Sequence, residues 1–497
     1  MRVSISYPPL ESGKGVPLLS QNRQFQWFNN PTVIYPVVPA SAATLLQSRG
    51  HEVIWDDAIA RRGSYADWLA NLLKAKPDLV AFESKTPTIR RFWGIVDEIK
   101  ARADWDLKVA LYGDHVTALP EETLANCGVD FVVTGGDYDF MLLSLAEALK
   151  GGSFDPSRLE GGFWWREGDR LRSNGSFDNR RHRLDELPRI DRDLTQWRLY
   201  AYDNGNFKRH PGAYTMAGRD CWYGKCTFCS WTTTYPKFNV RSPESVLDEV
   251  EMLSDRYGVK EVFDDTGTFP AGNWLKRFCE GVVERGLNRK VVLGCNMRFD
   301  ALNLEQYRMM KKANFRFLLF GLESVNQKTL DRLRKGDDRE TMLRSCSDAA
   351  RAGLEPHLTV MFGYPWENLE DVNRTVDFGQ FLMRKGYAKT LQSTIVVPYP
   401  GTPLFSECRE NGWLKTEDWD RYDMREPIMR TPMGDEMLLA ACQRLYRVAF
   451  HPEFILRRLL AIRGLDDLRF IVRGVRFVLG HLKDFSSRKN GKPETGA

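Results

Sequence analysis

The alternation of apolar and polar positions divides the chain into strand–helix units. In the first 150 residues, short apolar runs at Arg2–Tyr7, Glu52–Asp57, 79–84, 108–113 and 131–136 alternate with segments of helical period such as 40–47, 90–101 and 140–149. This order predicts a parallel, doubly wound α/β sheet of the flavodoxin-like (Rossmann-like) kind. The same alternation returns after Ala213, with strands expected at 213–218, 261–265, 291–297, 316–321, 358–363 and 392–397. Helices such as 242–257, 274–285 and 369–383 lie between them. Ser242, with Glu244 and Asp248 behind it, is a good helix start. Six units in series predict a partial (β/α)6 TIM-type barrel, whose chemistry sits on loops at the carboxyl ends of the strands.

Between the two halves the pattern breaks. GGFWWREGDRLRSNG reads as a small hairpin and RHRLDELPRIDRDL as a charged, proline-punctuated connector. The expected organisation is therefore a sheet domain over 1–150, a linker with a hairpin over 151–210, a barrel over 211–405, a mostly helical region over 406–485, and a disordered polar tail over 486–497. The first strand and first helix are separated by a long segment, 8–38, of a length that is usually functional or disordered.

Composition narrows the picture only slightly. The 497 residues are 42% hydrophobic and 28% charged, with 71 basic against 66 acidic side chains and a net charge of +5. That imbalance is too small to imply nucleic acid, and no nucleic-acid partner is expected. There is no run of eighteen apolar residues and no long apolar core near the N-terminus, so a cytoplasmic location is expected. Of nine cysteines only Cys221, Cys226 and Cys229 are clustered, which suits a reducing compartment and one metal site.

Those three lie in GRDCWYGKCTFCSW, on the loop after the first expected barrel strand. Thiolates are the preferred ligands of iron–sulfur clusters, and three of them leave one iron of a four-iron cube open to an outside ligand. Zinc is the competing use. A closed zinc site wants four ligands, but there is no second cysteine pair here, and His210 lies eleven residues upstream.

CWYGKCTFC resembles the radical S-adenosylmethionine motif C-x3-C-x2-C, with one extra residue in the first gap and Phe228 at its aromatic position. The resemblance continues in order along 1–415. FDDTGTF carries Asp264 and Asp265, CNMRFD carries Arg298, GLES carries Glu323, GYPWE carries Gly363, and PYPGTPLF closes the sixth unit. It implies a 4Fe-4S cluster on the three cysteines. It also implies S-adenosylmethionine held by Phe228, Asp264, Arg298, Glu323 and Gly363, and a flavodoxin or ferredoxin electron donor. No acid, base or hydrogen donor can be named from it.

A flavodoxin-like domain before such a barrel resembles the cobalamin-binding branch of that superfamily. The small residues at its strand ends, Ser84, Gly113, Gly135 and Gly136, are the expected cobalamin contacts. The Asp-x-His-x-x-Gly motif is absent; His115 directly follows Asp114 and reads as a solvent-exposed loop residue. Either cobalamin binds without a protein histidine, or the domain has lost it and only shapes the substrate pocket. The branch implies methylation of an unreactive carbon. The rivals are a ring closure, rearrangement or oxidation without methyl transfer, and a non-enzymatic zinc or scaffold protein. At the carboxyl end HPEFILRRLLAIRGLDDLRFIVRGVRFVLGHLK mixes apolar positions with arginines. It reads either as a cap on the core or as a peripheral membrane contact, and the expected substrate is a small molecule or lipid-like, the membrane contact pointing to a lipid or other apolar one.

Overall fold

A computed structural model describes residues 1–10, 13–19, 27–28, 32–152, 154–462 and 464–484. Expectations for the tail 486–497 and for part of 8–38 fall outside those residues.

The N-terminal sheet is built on apolar runs buried on both faces, as parallel strands require; all five residues of Leu79–Glu83 are buried. Its parallel strands lie in the order Glu52–Asp57, Arg2–Tyr7, Leu79–Glu83, Lys108–Tyr112 and Phe131–Val133. Numbered along the chain this is 2-1-3-4-5, the flavodoxin-like order. The hairpin Phe163–Glu167 and Arg170–Ser173 joins the sheet edge antiparallel, Val132 facing Trp164. The segment after residue 150 thus extends the first sheet before the chain leaves it.

The second sheet has six parallel strands in chain order: Gly212–Thr215, Glu261–Asp264, Val292–Met297, Phe315–Glu323, Glu355–Phe362 and Thr390–Ile395. The connecting helices start where side chains can cap them. Ser242 accepts from the Ser245 amide, and Asn303 and Asn368 each form a reciprocal capping box three residues on. Side chains from all six strands line one cavity of about 690 Å³. Two strands show the period-2 pattern directly, through Phe317, Leu319, Gly321 and Glu323 and through His357, Thr359 and Met361. The sheet therefore curls around that cavity. After it come helices Pro403–Glu410, Asp435–Tyr446, Pro452–Leu460 and Leu465–Asp484. Among the described residues no helix is long and apolar enough to cross a membrane.

A buried charge cluster joins the two sheets. Arg219, just before the cysteine loop, donates to Asp139 at 2.8 Å and to Asp137 at 3.1 Å, all three essentially inaccessible. His182 reaches Asp137 through Nδ1 and Glu160 through Nε2, both at 2.7 Å. Burial pulls the His182 pKa down, but the two carboxylates outweigh it and hold it up at about 9.

His115 differs from its expected exposure. It is fully buried in helix Asp114–Ala118, edge-on to Trp419 and Trp93 and 3.3 Å from Glu122. Its partner Trp419 lies about 300 residues away, so local sequence could not reveal the burial.

Two outcomes are expected. Arg219→Met leaves buried Asp139 without its cation and Asp137 with His182 alone, and should cost about 3–5 kcal/mol in chemical denaturation; a loss below about 1 kcal/mol would match an exposed pair instead. His182 gains a proton affinity on folding, so its stabilisation is complete below pH 6.5 and lost as pH rises through about 9. His182→Gln should flatten the stability–pH curve in that window, and a variant curve parallel to the parent's would exclude the linkage.

Candidate cofactor site at the carboxyl ends of the barrel strands

The cysteine loop is anchored on all sides. Before and after it, Gly218–Arg219 pairs antiparallel with Asn239–Val240. Within it, Cys221 bridges Thr268 along the backbone, and its Sγ lies 3.1 Å from Thr268 Oγ1. The Thr227 amide donates to the Leu333 carbonyl at 3.0 Å, and the Thr227 carbonyl accepts from Leu404 at 2.9 Å. Within the first gap Gly224 has a φ of +59°, a left-handed turn in which an added Cβ would meet the Cys221 carbonyl at 3.5 Å.

Cys221, Cys226, Phe228 and Cys229 all line the cavity, together with Arg298 and Glu323. Arg298 is held bidentate by Asp300 at 2.9 Å and contacts Asp337 at 3.4 Å. Its guanidinium lies 3.7 Å from the Tyr223 ring centre. Tyr223 donates to the Arg334 carbonyl at 2.8 Å and fits only because Gly336, at φ +72°, has no Cβ to strike its hydroxyl. Glu323 pairs with buried Lys335 at 3.2 Å. Burial raises Asp337 to about 6 against the pull of Lys335 and Arg298. Burial also lifts the Cys226 thiol, while Lys335 and Arg298 draw it back toward thiolate.

Lys335, Tyr223, Asp337 and Thr268 were not legible as site residues. Lys335 lies past the helix Gln327–Arg332, and nothing local marks its return to the strand end.

Two expected S-adenosylmethionine contacts are placed differently. Asp264 is buried off the cavity, its carboxylate accepting from Thr215 Oγ1 and the Ala217 amide, each at 2.9 Å, and from the Thr266 amide at 3.1 Å. Because strand side chains alternate, Phe263 and Asp265 face the cavity instead. Gly363 has φ +105°, and an added Cβ would meet Ile395, Leu438 and Val396 at 3.6–3.8 Å, so it packs against the sixth strand and a later helix.

The donor set fits an iron–sulfur cluster. Three thiols share one cavity wall, with two cations beside them. Among the described residues no group of three or more His, Cys, Asp or Glu could hold a metal ion. A cube asks for less convergence than a single ion, because each thiolate meets a different iron.

The four expected cobalamin contacts form no open cradle. A Cβ on Gly135 would overlap the Phe177 ring, one on Gly136 the Tyr235 ring, and one on Gly113 the Ser84 backbone. Tyr235 also donates to the Gly136 carbonyl at 2.7 Å. The smallness of Gly135 and Gly136 thus serves packing of the linker and of the chain after the cysteine loop on the sheet, and that of Gly113 the close approach of the neighbouring strand end. Buried polar atoms without a hydrogen-bond partner, Glu83 Oε1 and Tyr112 Oη, do remain at the neighbouring strand ends, Glu83 Oε1 lying 3.8 Å from Lys85 Nζ. Burial holds Glu83 at about 7.

Comparison with known proteins adds the family. Residues 217–379 match the radical SAM superfamily and residues 32–141 the B12 binding domain. The chain carries a radical SAM domain and a B12-binding domain. The pair implies S-adenosylmethionine, a 4Fe-4S cluster and cobalamin. An uncharacterised methyltransferase of Pyrococcus horikoshii is 26% identical over 433 residues, 84% of this chain and 90% of that one. The anaerobic magnesium-protoporphyrin IX monomethyl ester cyclase of Cereibacter sphaeroides is 26% identical over 389 residues, 75% of this chain and 60% of that one. Among solved structures, the cobalamin-dependent S-adenosylmethionine radical enzyme OxsB shares the fold at a TM-score of 0.69 and 14% identity, covering 97% of this chain and 71% of its own. The radical S-adenosylmethionine methyltransferase TsrM of Kitasatospora setae, with cobalamin and a 4Fe-4S cluster bound, does so at 0.64 and 19% identity, covering 82% and 78%.

Gly336→Ala should lower stability by about 1–3 kcal/mol, since it adds a left-handed side chain where Tyr223 already sits. Chemical denaturation checks this; an unchanged midpoint would show that the Tyr223 loop gives way freely.

Proposed function

We propose that this cobalamin-dependent radical SAM enzyme methylates an unreactive carbon of its substrate. The observation that carries the reading is the convergence of Cys221, Cys226 and Cys229 with Arg298, Glu323 and Lys335 on one end of one cavity. When bound, a 4Fe-4S cluster with a vacant iron supplies the one-electron chemistry that starts such reactions.

The protein's own part is binding and exclusion. Cys221, Cys226 and Cys229 would hold the cluster. The methionine end of S-adenosylmethionine carries an ammonium and a carboxylate, and the site offers both complements. Glu323 would accept from the ammonium, and Lys335 or Arg298 would donate to the carboxylate. Phe228 packs against the small apolar cluster that includes Leu333, Met361 and Val396 and would give the cofactor an apolar wall. Methyl transfer is favoured by relatives such as the bacteriochlorophyllide d C-8(2)-methyltransferase of Chlorobaculum tepidum, 24% identical over 436 residues, 84% of this chain and 87% of that one. The cyclase relative supports a second reading, ring closure without methyl transfer.

Anaerobic reaction with methyl-labelled S-adenosylmethionine distinguishes them. Label in the product is expected; cleaved nucleoside with unlabelled product would select the second reading. Replacing all three cysteines with alanine should abolish both bound iron and nucleoside release, and retained iron would overturn the site itself.

A further inference from the structure

The cavity has two chemically different ends. Beside the cysteine loop its charged walls are Asp265, Arg298, Glu323 and Lys335, two acids and two bases. Its middle is neutral, with Phe263, Phe317, Leu319 and Met361 among Asn296, His357 and Gln392. The far end is lined by Lys389, Arg458 and Arg473, with no acid among the lining residues.

That far end lies at the amino ends of the strands. Lys389 directly precedes strand Thr390–Ile395. Helix Leu465–Asp484 is fixed there through an ion pair between Lys208 and Asp467, through Arg473 to His210 Nε2 at 2.8 Å, and through Phe470, 5.6 Å from the Arg316 guanidinium. Phe450, Phe454, Ile455, Leu459, Ile471 and Val475 complete the rim.

The rim continues onto an exposed apolar face. Nine of the fifteen exposed large apolar side chains among the described residues fall within 450–475, including Leu456, Leu460 and Leu465 at 58%, 76% and 69% exposure. Apolar clustering of this kind marks an interaction site. Arg457 and Arg469 are exposed between these side chains. Apolar and basic positions interleave on these short helices, which also carry Glu453 and Asp466, the latter 3.9 Å from Arg469; the arginines suit an anionic lipid surface better than another protein's apolar face, which would take them out of water.

We propose that these two helices dock on an anionic membrane and that the cavity takes from it an anionic amphiphile, tail first. The headgroup stays at Lys389, Arg458 and Arg473 while the apolar chain runs along the barrel toward the cysteine loop. From Phe317 to Glu323 that path is about 20 Å at the usual strand rise. The inference deepens the reading above by naming the substrate class and its source; the docking itself does not depend on the reaction.

The full-length protein is floated with vesicles of phosphatidylcholine containing 30% phosphatidylglycerol and with phosphatidylcholine alone, roughly the contrast that basic membrane-binding segments discriminate. Flotation with the anionic vesicles only, weakened by salt, is expected. Leu456→Glu with Leu460→Glu, and separately Arg457→Glu with Arg469→Glu, should each weaken it about tenfold or more. These side chains are exposed and off the cavity, so iron and sulfide content after reconstitution should match the parent, which separates failure of docking from failure of the cysteine site. No flotation, flotation unaffected by the substitutions, or self-association in sedimentation that the same substitutions abolish would overturn the docking. For the path, cis-parinaric acid fluorescence should rise on binding and Arg458→Gln should weaken its affinity about fivefold, the worth of one such charge. Vesicle binding without uptake of this probe would overturn the tail-first route.

Discussion

The buried contact of Arg219 with Asp137 and Asp139 fixes where the chemistry can happen. Asp137 and Asp139 follow the last parallel strand of the first sheet, and Arg219 stands two residues before Cys221. Charges with so little access to water are tolerated only when paired and further hydrogen-bonded, which His182 supplies for Asp137. The cysteine loop is therefore tethered to the B12-binding domain by an interaction that cannot slide without exposing an uncompensated charge. Tyr235 against Gly136 and Phe177 against Gly135 close the same seam with apolar contact. The two domains are one mechanical unit at the point where cofactor loop and sheet edge meet.

The second constraint is the alternation of the six parallel strands. Because successive side chains point to opposite faces, the fourth and fifth strands contribute alternate positions to one cavity, Phe317, Leu319, Gly321 and Glu323 from one and His357, Thr359 and Met361 from the other. One strand can thus carry Phe317 at one end and Glu323 at the other, both inside, six residues apart. The same rule puts Asp265 inward and spends Asp264 on holding Thr215 and Ala217, which positions the chain as it enters the cysteine loop. An acid that serves the site by shaping its entry is as necessary as one that touches a ligand.

Every parallel strand was legible, because parallel strands buried on both faces leave continuous apolar runs; Arg2–Tyr7 and Glu52–Asp57 coincide with their expected bounds, while Phe131–Val133 and Glu355–Phe362 differ from theirs by three residues at one end. The cysteine loop was legible from spacing alone. What escaped was phase and distance. Asp264 and Asp265 are both polar, and only the register of the strand decides which faces inward. His115 is buried by Trp419, and Glu323 meets a lysine on a separate turn, neither of which has a local signature. The glycines of the first sheet were read as cobalamin contacts; their close neighbours are the protein's own groups, the Ser84 backbone at Gly113, the Phe177 ring at Gly135 and the Tyr235 ring at Gly136.

A cavity with charged ends and a neutral middle changes what selectivity can mean for a radical reaction. The carbon attacked in such chemistry has no charge and offers no hydrogen bond, so contacts at that carbon can discriminate little. Discrimination has to come from groups held elsewhere, and here the nearest fixed charges away from the cysteine loop are Lys389, Arg458 and Arg473 at the opposite rim. A ligand anchored at that rim presents to the cysteine loop whichever carbon lies one strand length away. Position along the chain is then set by the length of the barrel, a rigid distance, and the neutral polar groups between, Asn296, His357 and Gln392, need only accommodate the path. Burial keeps His357 uncharged, at about 4, so the path carries no fixed charge that would hold a ligand midway.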